Sequence, residues 1–485
     1  MSDPRTALQK KFATEHRFNN FGTPLMQMHV QGFRCHSNTL IEIRSPITAF
    51  CGLNGTGKST LLQLAAASYV SPGPEWPCYY IKNFLEAGTL DPNPFTDDAK
   101  VEYKFWQEDR SLKSLTISRR VSTKRWSGYT RRLNRVVLFA GVGCYLPWIE
   151  QRDAVARHSA QLIIENSEDV VGQIRTWTCV VLDKQYDNMY RNMVSYSTRK
   201  RAVITVQRAA SRYSEAHMGY GEARSQYLIT TIEALPERSL VLIEEPEISL
   251  HPHAQHEFGR YLVDVAARRG HQILLTTHSD GLLQALPSES RIYLHSGNAG
   301  IEPLSGLTAA EARSLMTKGH ERALHVLVED PVAKAILTEI VRKMDDTFLS
   351  TIAIHSAARG AQTLVDTVKT LKATGLAVAV VLDGDQPATP KENIFKLPGN
   401  KPPEKELFAD PAVQHHVGAT YGVNLPDFEA GLAGVDHHDW CERLSQRVNQ
   451  HETALVCEMA RAYAGSISQV DIASLIGQLK EASRK

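Results

Sequence analysis

Three sets of residues in this chain have the types and spacing to handle phosphate. Residues 52–59 fit G-x-x-x-x-G-K-[ST], with Gly52, Gly57, Lys58 and Ser59 at the fixed positions. Glycines let backbone N–H groups curl around phosphate oxygens, so Asn54, Gly55, Thr56, Gly57 and Thr60 are candidate contacts. Lys58 has the reach for the outer phosphates of ATP, and the Ser59 hydroxyl suits Mg²⁺. An apolar run at 240–243 then ends in Glu244 and Glu245. The first acid is assigned to the metal and the second to activating water. His278, at the end of another apolar run, is a candidate contact to the γ-phosphate. Farther on, Glu329, Asp383 and Asp385 follow two more apolar runs. Their hard oxygens suit Mg²⁺ or Mn²⁺, which can activate water and stabilise a phosphodiester displacement.

These groups need elements to hold them. Residues 47–50 read as a strand and 60–65 open a helix, which predicts strand, loop and helix around the phosphate loop. Residues 28–43 alternate as a short meander, and 101–106 and 115–119 as antiparallel strands. Residues 324–328 and 377–382 read as buried strands of an open α/β sheet, whose acidic tips fall at the carboxyl edge. Residues 1–23 read as a loose arm, 150–217 as polar and mostly helical, and 411–485 as mainly helical.

The 485 residues allow two or three domains. Lys plus Arg (54) nearly balances Asp plus Glu (53), so any basic surface must be local. Seven scattered cysteines with no C-x-x-C pair suit reduced thiols and speak against a disulfide framework. A polar, charged start and the lack of a long apolar run predict a cytoplasmic protein with no membrane partner.

The runs 243–252 (Ile-Glu-Glu-Pro-Glu-Ile-Ser-Leu-His-Pro) and 276–279 (Thr-Thr-His-Ser) resemble the ABC-type ATPases of the RecF, structural-maintenance-of-chromosomes and OLD (overcoming lysogenization defect) group. Gly219, Gly221 and Glu222 match the position of that family's signature loop, though not its usual Ser-Gly-Gly form. The resemblance implies that one subunit's signature closes on the phosphate loop of another in a homodimer or higher oligomer. Residues 249–251 would then face the dimer. Gln151 and Gln161 are both open as the glutamine loop. Long coiled-coil arms are absent, since no sustained heptads precede the signature.

The second half resembles a Toprim domain, and an ABC ATPase followed by Toprim is the OLD layout. Glu329 matches the strand-one glutamate, Asp383 and Asp385 the Asp-x-Asp, and Gly360 the intervening glycine. OLD nucleases usually carry another acid four residues after the first glutamate, where this chain has Ala333. Asp330 and Glu404 are candidate substitutes. The expected fold class is α/β: an N-terminal arm at 1–23, an ABC-type P-loop ATPase domain at 24–315, a Toprim-like domain at 320–410 and a helical end at 411–485. The leading expectation is an ATP-regulated, metal-dependent DNA endonuclease in bacterial antiphage defence or DNA processing. The alternative is an ATPase sensor or scaffold with a degenerate Toprim domain that controls a separate effector protein.

Two further clusters have bland readings. Arg119, Arg120, Lys124, Arg125, Arg131, Arg132 and Arg135, with Trp126 and Tyr129, could hold a nucleic-acid backbone. Charge runs more often only solvate a surface, and that reading is preferred. Arg199, Lys200 and Arg201 form a smaller basic group. In the run 436–440, adjacent His437 and His438 are expected to point apart, so Asp436 reads as a helix cap beside packed histidines rather than part of a metal site.

Overall fold

The computed structural model describes the whole chain except residues 1, 2, 147–158, 298, 299, 358, 359 and 485. It divides into two units, Met1–Ala309 and Ala310–Lys485.

The first unit is built on a six-stranded sheet. Its order is Gly300–Ser305, Arg291–Gly297, Ile47–Cys51, Gln272–Thr276, Leu240–Glu244 and Val137–Ala140. All neighbours are parallel except the first pair. The central strands are buried along their length, as continuous apolar runs such as Leu-Val-Leu-Ile require of a sheet covered on both faces. The register sets Glu244 opposite Thr276 and Thr276 opposite Phe50. Three strand ends therefore open on one edge: the phosphate loop, the Glu244–Glu245 pair and the His278 segment.

A five-stranded antiparallel sheet contains the meander Leu25–Phe33 and His36–Glu42, together with Phe95–Trp106, Leu112–Arg120 and Arg125–Ser127. Residues 163–214 depart from the helical expectation. They form an antiparallel sheet of Ile163–Asp169, Asn188–Tyr196, Arg199–Arg208 and Ser211–Ser214, with one helix, Gly172–Leu182, inserted. The β-branched run Val-Ile-Thr-Val at 203–206 favours the pleated surface over a helix. Nor is the start of the chain loose. Pro4–Phe12 and Arg17–Phe21 are helices whose Leu8, Phe12 and Phe21 are buried, with Phe12 and Phe21 edge to face.

The second unit is a four-stranded parallel sheet in the order Ile352–Ser356, Leu324–Val328, Val378–Leu382, Ile394–Lys396. From Leu324–Val328 the chain goes first to one side and then to the other. The crevice beyond the carboxyl ends of Leu324–Val328 and Val378–Leu382 is thus a topological switch point, where open α/β sheets place ligands. The helices Glu452–Ser466 and Gln469–Ala482 share one core with helix Pro331–Met344, through Leu337, Ile340, Leu455, Met459, Leu475 and Leu479. The C-terminal helices therefore complete this unit rather than stand apart from it.

Candidate functional site

The phosphate loop has the conformation its glycines permit. Gly55 and Gly57 lie at φ +83° and +78°, and Gly57 caps helix Lys58–Ala66. A Cβ on Gly57 would fall 2.2 Å from His36 Nε2. That buried imidazole lies 3.1 Å from the Gly57 carbonyl and 3.1 Å from the Thr39 hydroxyl, holding the loop from beneath. Lys58 is nearly buried and donates to the carbonyls of Gly52 and Leu53, both at 3.0 Å. Burial lowers its pKa, while Glu245, Cys51 and Glu247 pull it back up. Asn54, Gly55 and Ser59 are exposed at the loop surface, whereas Thr56 and Thr60 are buried. The Thr56 hydroxyl donates to the Leu53 carbonyl at 2.9 Å.

Across the edge, Glu244 Oε2 accepts the Val142 N–H at 3.4 Å, and Glu244 Oε1 is buried without a hydrogen-bond partner among the described residues. With the exposed Ser59 hydroxyl, that oxygen fits the few protein ligands that Mg²⁺ takes beside nucleotide phosphates. Glu245 sits at φ +44°, a costly conformation for a residue with a side chain. It is pinned there by Thr276, whose carbonyl accepts the Glu245 N–H at 3.1 Å, and by buried Arg224, which donates to the carbonyls of Glu244 and Glu245 at 2.9 and 2.7 Å. His278 Nε2 stands 3.6 Å from Glu245 Oε1. Burial and Lys58 both lower the His278 pKa, which favours the neutral ring.

The sequence reading gave no role to Glu247. Its Oε1 accepts from the Thr277 hydroxyl and the His278 N–H, both at 2.7 Å, so it fixes the His278 segment against the Glu245 turn. Burial and the neighbouring Glu245 carboxylate raise its pKa to about 7. Its one sequence signal was an acid two residues past Glu245 on the far side of a proline.

The signature segment opens helix Tyr220–Ala234, with Gly219 as its cap. A Cβ on Gly221 would lie 2.2 Å from the Ser249 carbonyl oxygen, so glycine lets this helix meet the segment after Glu245. Glu222 accepts from Lys184 at 2.5 Å, Tyr186 at 2.7 Å and Tyr213 at 3.0 Å. That carboxylate is engaged inside its own unit, which gives it an anchoring place rather than a nucleotide contact. His251 accepts the Ala254 N–H at 3.3 Å and caps helix Pro252–Arg269. Gln161 is exposed in a short 3₁₀ turn, and Gln151 lies outside the described residues.

In the second unit, Glu329 and Asp383 meet at the switch point, where the Asp383 N–H donates to Glu329 Oε1 at 3.3 Å. Asp383 is 7% exposed, and its Oδ1 is buried without a hydrogen-bond partner among the described residues. Burial, then Glu329, Asp330, Glu404 and Asp385, push Asp383 up to about 8. Asp330 caps helix Pro331–Met344 through Oδ1, which accepts the Ala333 N–H at 2.8 Å, and leaves Oδ2 buried and unpartnered. Glu404 is 1% exposed, its Oε2 is unpartnered, and burial followed by Asp330 raises it to about 7. Asp385 is exposed. Gly360 caps helix Ala361–Ala373; burial, with Asp330 and Asp385, raises the Glu329 pKa, and the Asp383 and Ala361 N–H groups only partly oppose that rise. Ala333 is fully buried.

Comparison with known proteins bears on the first unit. Residues 201–284 match the family model described as "AAA domain, putative AbiEii toxin, Type IV TA system", and residues 27–66 match one described as "AAA domain". The first match spans the signature, Glu244, Glu245 and His278; the second spans the phosphate loop. The chain carries an AAA-type ATPase domain. A curated relative is Protein ea59 of Escherichia phage lambda, 26% identical over 280 residues, which are 50% of this chain and 47% of that protein. The chain thus spans about half the length of this relative. Among solved structures, it is similar to the SMC head domain from Thermotoga maritima, at 13% identity and TM-score 0.36, covering 58% of this chain and 98% of that one. It is also similar to the Smc head domain from Pyrococcus furiosus bound to the C-terminal domain of ScpA, at 12% identity and TM-score 0.39, covering 61% and 99%.

Much of the basic stretch belongs to the interior of the ATPase unit. Arg135 is buried among the carbonyls of Arg238, Phe21 and Ser239 and the side chains of Tyr69 and Gln272. Arg132 donates to the carbonyls of Tyr69 and Tyr79, both at 2.8 Å, and lies over the rings of Tyr80 and Tyr129. Arg119 pairs with Asp97, and Trp126 stacks on Phe33 at 5.6 Å. Arg120, Lys124, Arg125 and Arg131 remain exposed, without a stacking partner for a base in Trp126. Lys200 pairs with Glu165 at 2.7 Å. No described helix is long and apolar enough to cross a membrane.

Proposed function

We propose that the chain is an ATP-regulated, metal-dependent DNA endonuclease of the OLD layout, with a Toprim-like second unit. The observation that supports this reading is the set of buried oxygens without partners, Asp330 Oδ2, Asp383 Oδ1 and Glu404 Oε2, beside Glu329 at the switch point. Buried carboxylates crowded together are costly unless a cation joins them. Glu329, Asp383 and Asp385 would hold Mg²⁺ or Mn²⁺, and such an ion supplies water activation and charge stabilisation at a phosphodiester. The chain's own part is to fix that edge. The Asp383 N–H braces Glu329, and Lys396 donates to the Gly384 carbonyl at 2.8 Å to hold the Asp-x-Asp turn.

In the ATPase unit, Lys58 and Ser59 would hold the phosphates and Mg²⁺, Glu245 would orient the attacking water, and neutral His278 would meet the γ-phosphate. Closure of a homodimer on ATP, with Gly219 and Gly221 facing the other copy's phosphate loop, would control access of DNA to the second unit. DNA would be met partly by Arg120, Lys124, Arg125 and Arg131. The setting we infer is bacterial antiphage defence or DNA processing, in the cytoplasm.

Ala333 favours a second reading. A buried methyl stands where a second acid would serve another ion, which fits an ATPase sensor that controls a separate effector protein. A nuclease assay in Mg²⁺ and in Mn²⁺, with and without ATP, separates the two. The endonuclease reading expects metal-dependent cleavage lost in Asp383→Ala. The sensor reading expects intact ATPase and no cleavage under any of these conditions.

A further inference from the structure

Neighbouring side chains on a helix or strand diverge, which is why His437 and His438 are expected to point apart. The structure places them in a 3₁₀ turn, His437–Asp439, where the two rings lie 4.1 Å apart between centroids. Asp436 does cap this turn, accepting the His438 N–H at 3.2 Å, so the expected cap is present. Both rings nevertheless converge on a carboxylate from another helix. His438 Nδ1 is 3.5 Å from Glu404 Oε1, and one ligand atom from each of Glu404, His437 and His438 falls within 4.8 Å of the other two.

We propose that Glu404, His437 and His438 form a transition-metal site, distinct in chemistry from the all-carboxylate edge at Glu329, Asp383 and Asp385. Imidazole nitrogens favour ions such as Zn²⁺ over Mg²⁺, and two imidazoles with one glutamate form a known zinc donor set that leaves a position open for water. Metal–ligand distances of ~2.0–2.2 Å put neighbouring donors roughly 3–4 Å apart; His438 Nδ1 and Glu404 Oε1 already stand at 3.5 Å, and the full set, within 4.8 Å, would draw in around an ion.

A second observation is independent of the histidines. Glu404 is 1% exposed, yet its Oε2 has no hydrogen-bond partner among the described residues, a costly arrangement for a buried carboxylate. His438 is the exposed member, with 56% of its side chain accessible, so an ion can enter from solvent. Asp436 lies 3.2 Å from His437 Nδ1, a contact that orients the ring as carboxylates do behind metal-bound histidines. Glu404 also bears on Asp383, so this site adjoins the carboxylate edge and shares a residue with its field. The site does not depend on whether that edge cuts DNA.

The test is a titration of chelator-stripped, nucleotide-free full-length protein with Co²⁺ chloride, followed by competition with Zn²⁺. Histidine-ligated Co²⁺ gives a visible d–d band. The proposal expects a saturable band that Zn²⁺ abolishes and that persists in Asp383→Asn. In His437→Ala/His438→Ala, Co²⁺ affinity should fall at least ten-fold, with an unchanged circular-dichroism spectrum confirming the fold. Unaltered Co²⁺ binding in the double variant would overturn the site. So would a band lost in Asp383→Asn and kept in the double variant. Glu404→Gln provides a check on the buried ligand: ten-fold weaker Co²⁺ binding supports it, and full affinity removes Glu404 from the set.

Discussion

The two units solve the same problem, several acids at the carboxyl edge of a parallel sheet, in different ways. In the ATPase unit, Glu245 and Glu247 share their space with Lys58, and Glu247 is bound by Thr277 and the His278 backbone. There the chain supplies positive charge and N–H groups of its own. In the second unit, burial and then Glu329, Asp330 and Glu404 raise Asp383, and three oxygens of this set lack hydrogen-bond partners among the described residues. Among the described residues no Lys or Arg forms an ion pair with these acids, so protons or a bound cation are the charges that would neutralise them. The difference separates a site made ready for a bound anion from one made ready for a bound cation.

The largest effect should come from the first edge. Glu245→Gln keeps the shape of the turn and removes the base, so hydrolysis should fall by about 10²-fold or more, the usual scale for a positioned general base. Nucleotide binding should survive, as read by a fluorescent ATP analogue beside a single-turnover assay. Lys58→Ala should lose binding as well. Retained turnover in Glu245→Gln would move the water-activating role elsewhere, with His278 the next candidate at 3.6 Å.

At the second edge the expected effect is on stability and has a definite sign. Asp383 sits near ~3.9 when unfolded and is raised to about 8 in the fold, so the folded state keeps a proton that the unfolded chain releases. Its contribution to stability is complete below the unfolded value and is lost as pH rises through about 8. Metal-free protein should therefore weaken with pH across that window, by at most ~1.4 kcal/mol per pH unit. Mn²⁺ should offset the loss by binding the ionised cluster. Asp383→Asn should flatten the pH dependence and remove the Mn²⁺-induced rise in Tm. Thermal melts at pH 6 and pH 8, in chelator and in Mn²⁺, read all of these effects; an unchanged slope in Asp383→Asn would assign the titration to Glu404 instead.

What was legible in the sequence was what is encoded locally. The phosphate loop, the Glu244–Glu245 strand and the strand before His278 are continuous runs whose residue types dictate both shape and chemistry. The misses share a different origin. Residues 163–214 were read by polarity, although pairings such as Asn192 with Val203 decide their structure. Arg132 and Arg135 were counted as surface charge, whereas carbonyls far along the chain bury them. His437 and His438 were judged by helix and strand geometry, and a 3₁₀ turn overrides both. Glu247 was passed over because its partners, Thr277 and His278, lie thirty residues or more away.

Glu247 offers the smallest effect and the sharpest contrast between the two edges. Raised to about 7, it holds a proton at the lower end of the neutral range and loses it above. With the proton, Glu247 adds no negative charge beside Glu245, the carboxylate placed to orient water. Without it, two carboxylates face each other next to a single Lys58, and the negative charge opposes an incoming triphosphate. Hydrolysis should therefore decline as pH rises through about 7. Glu247→Gln is neutral at every pH and should remove that inflection, with a change in rate of less than about ten-fold, since the residue positions Glu245 and His278 without acting as the base. A pH–rate profile between pH 6 and pH 8 is sufficient. An inflection that persists in Glu247→Gln would place the titrating proton on another group such as His278, and the first edge would then lack the internal charge compensation that distinguishes it from the second.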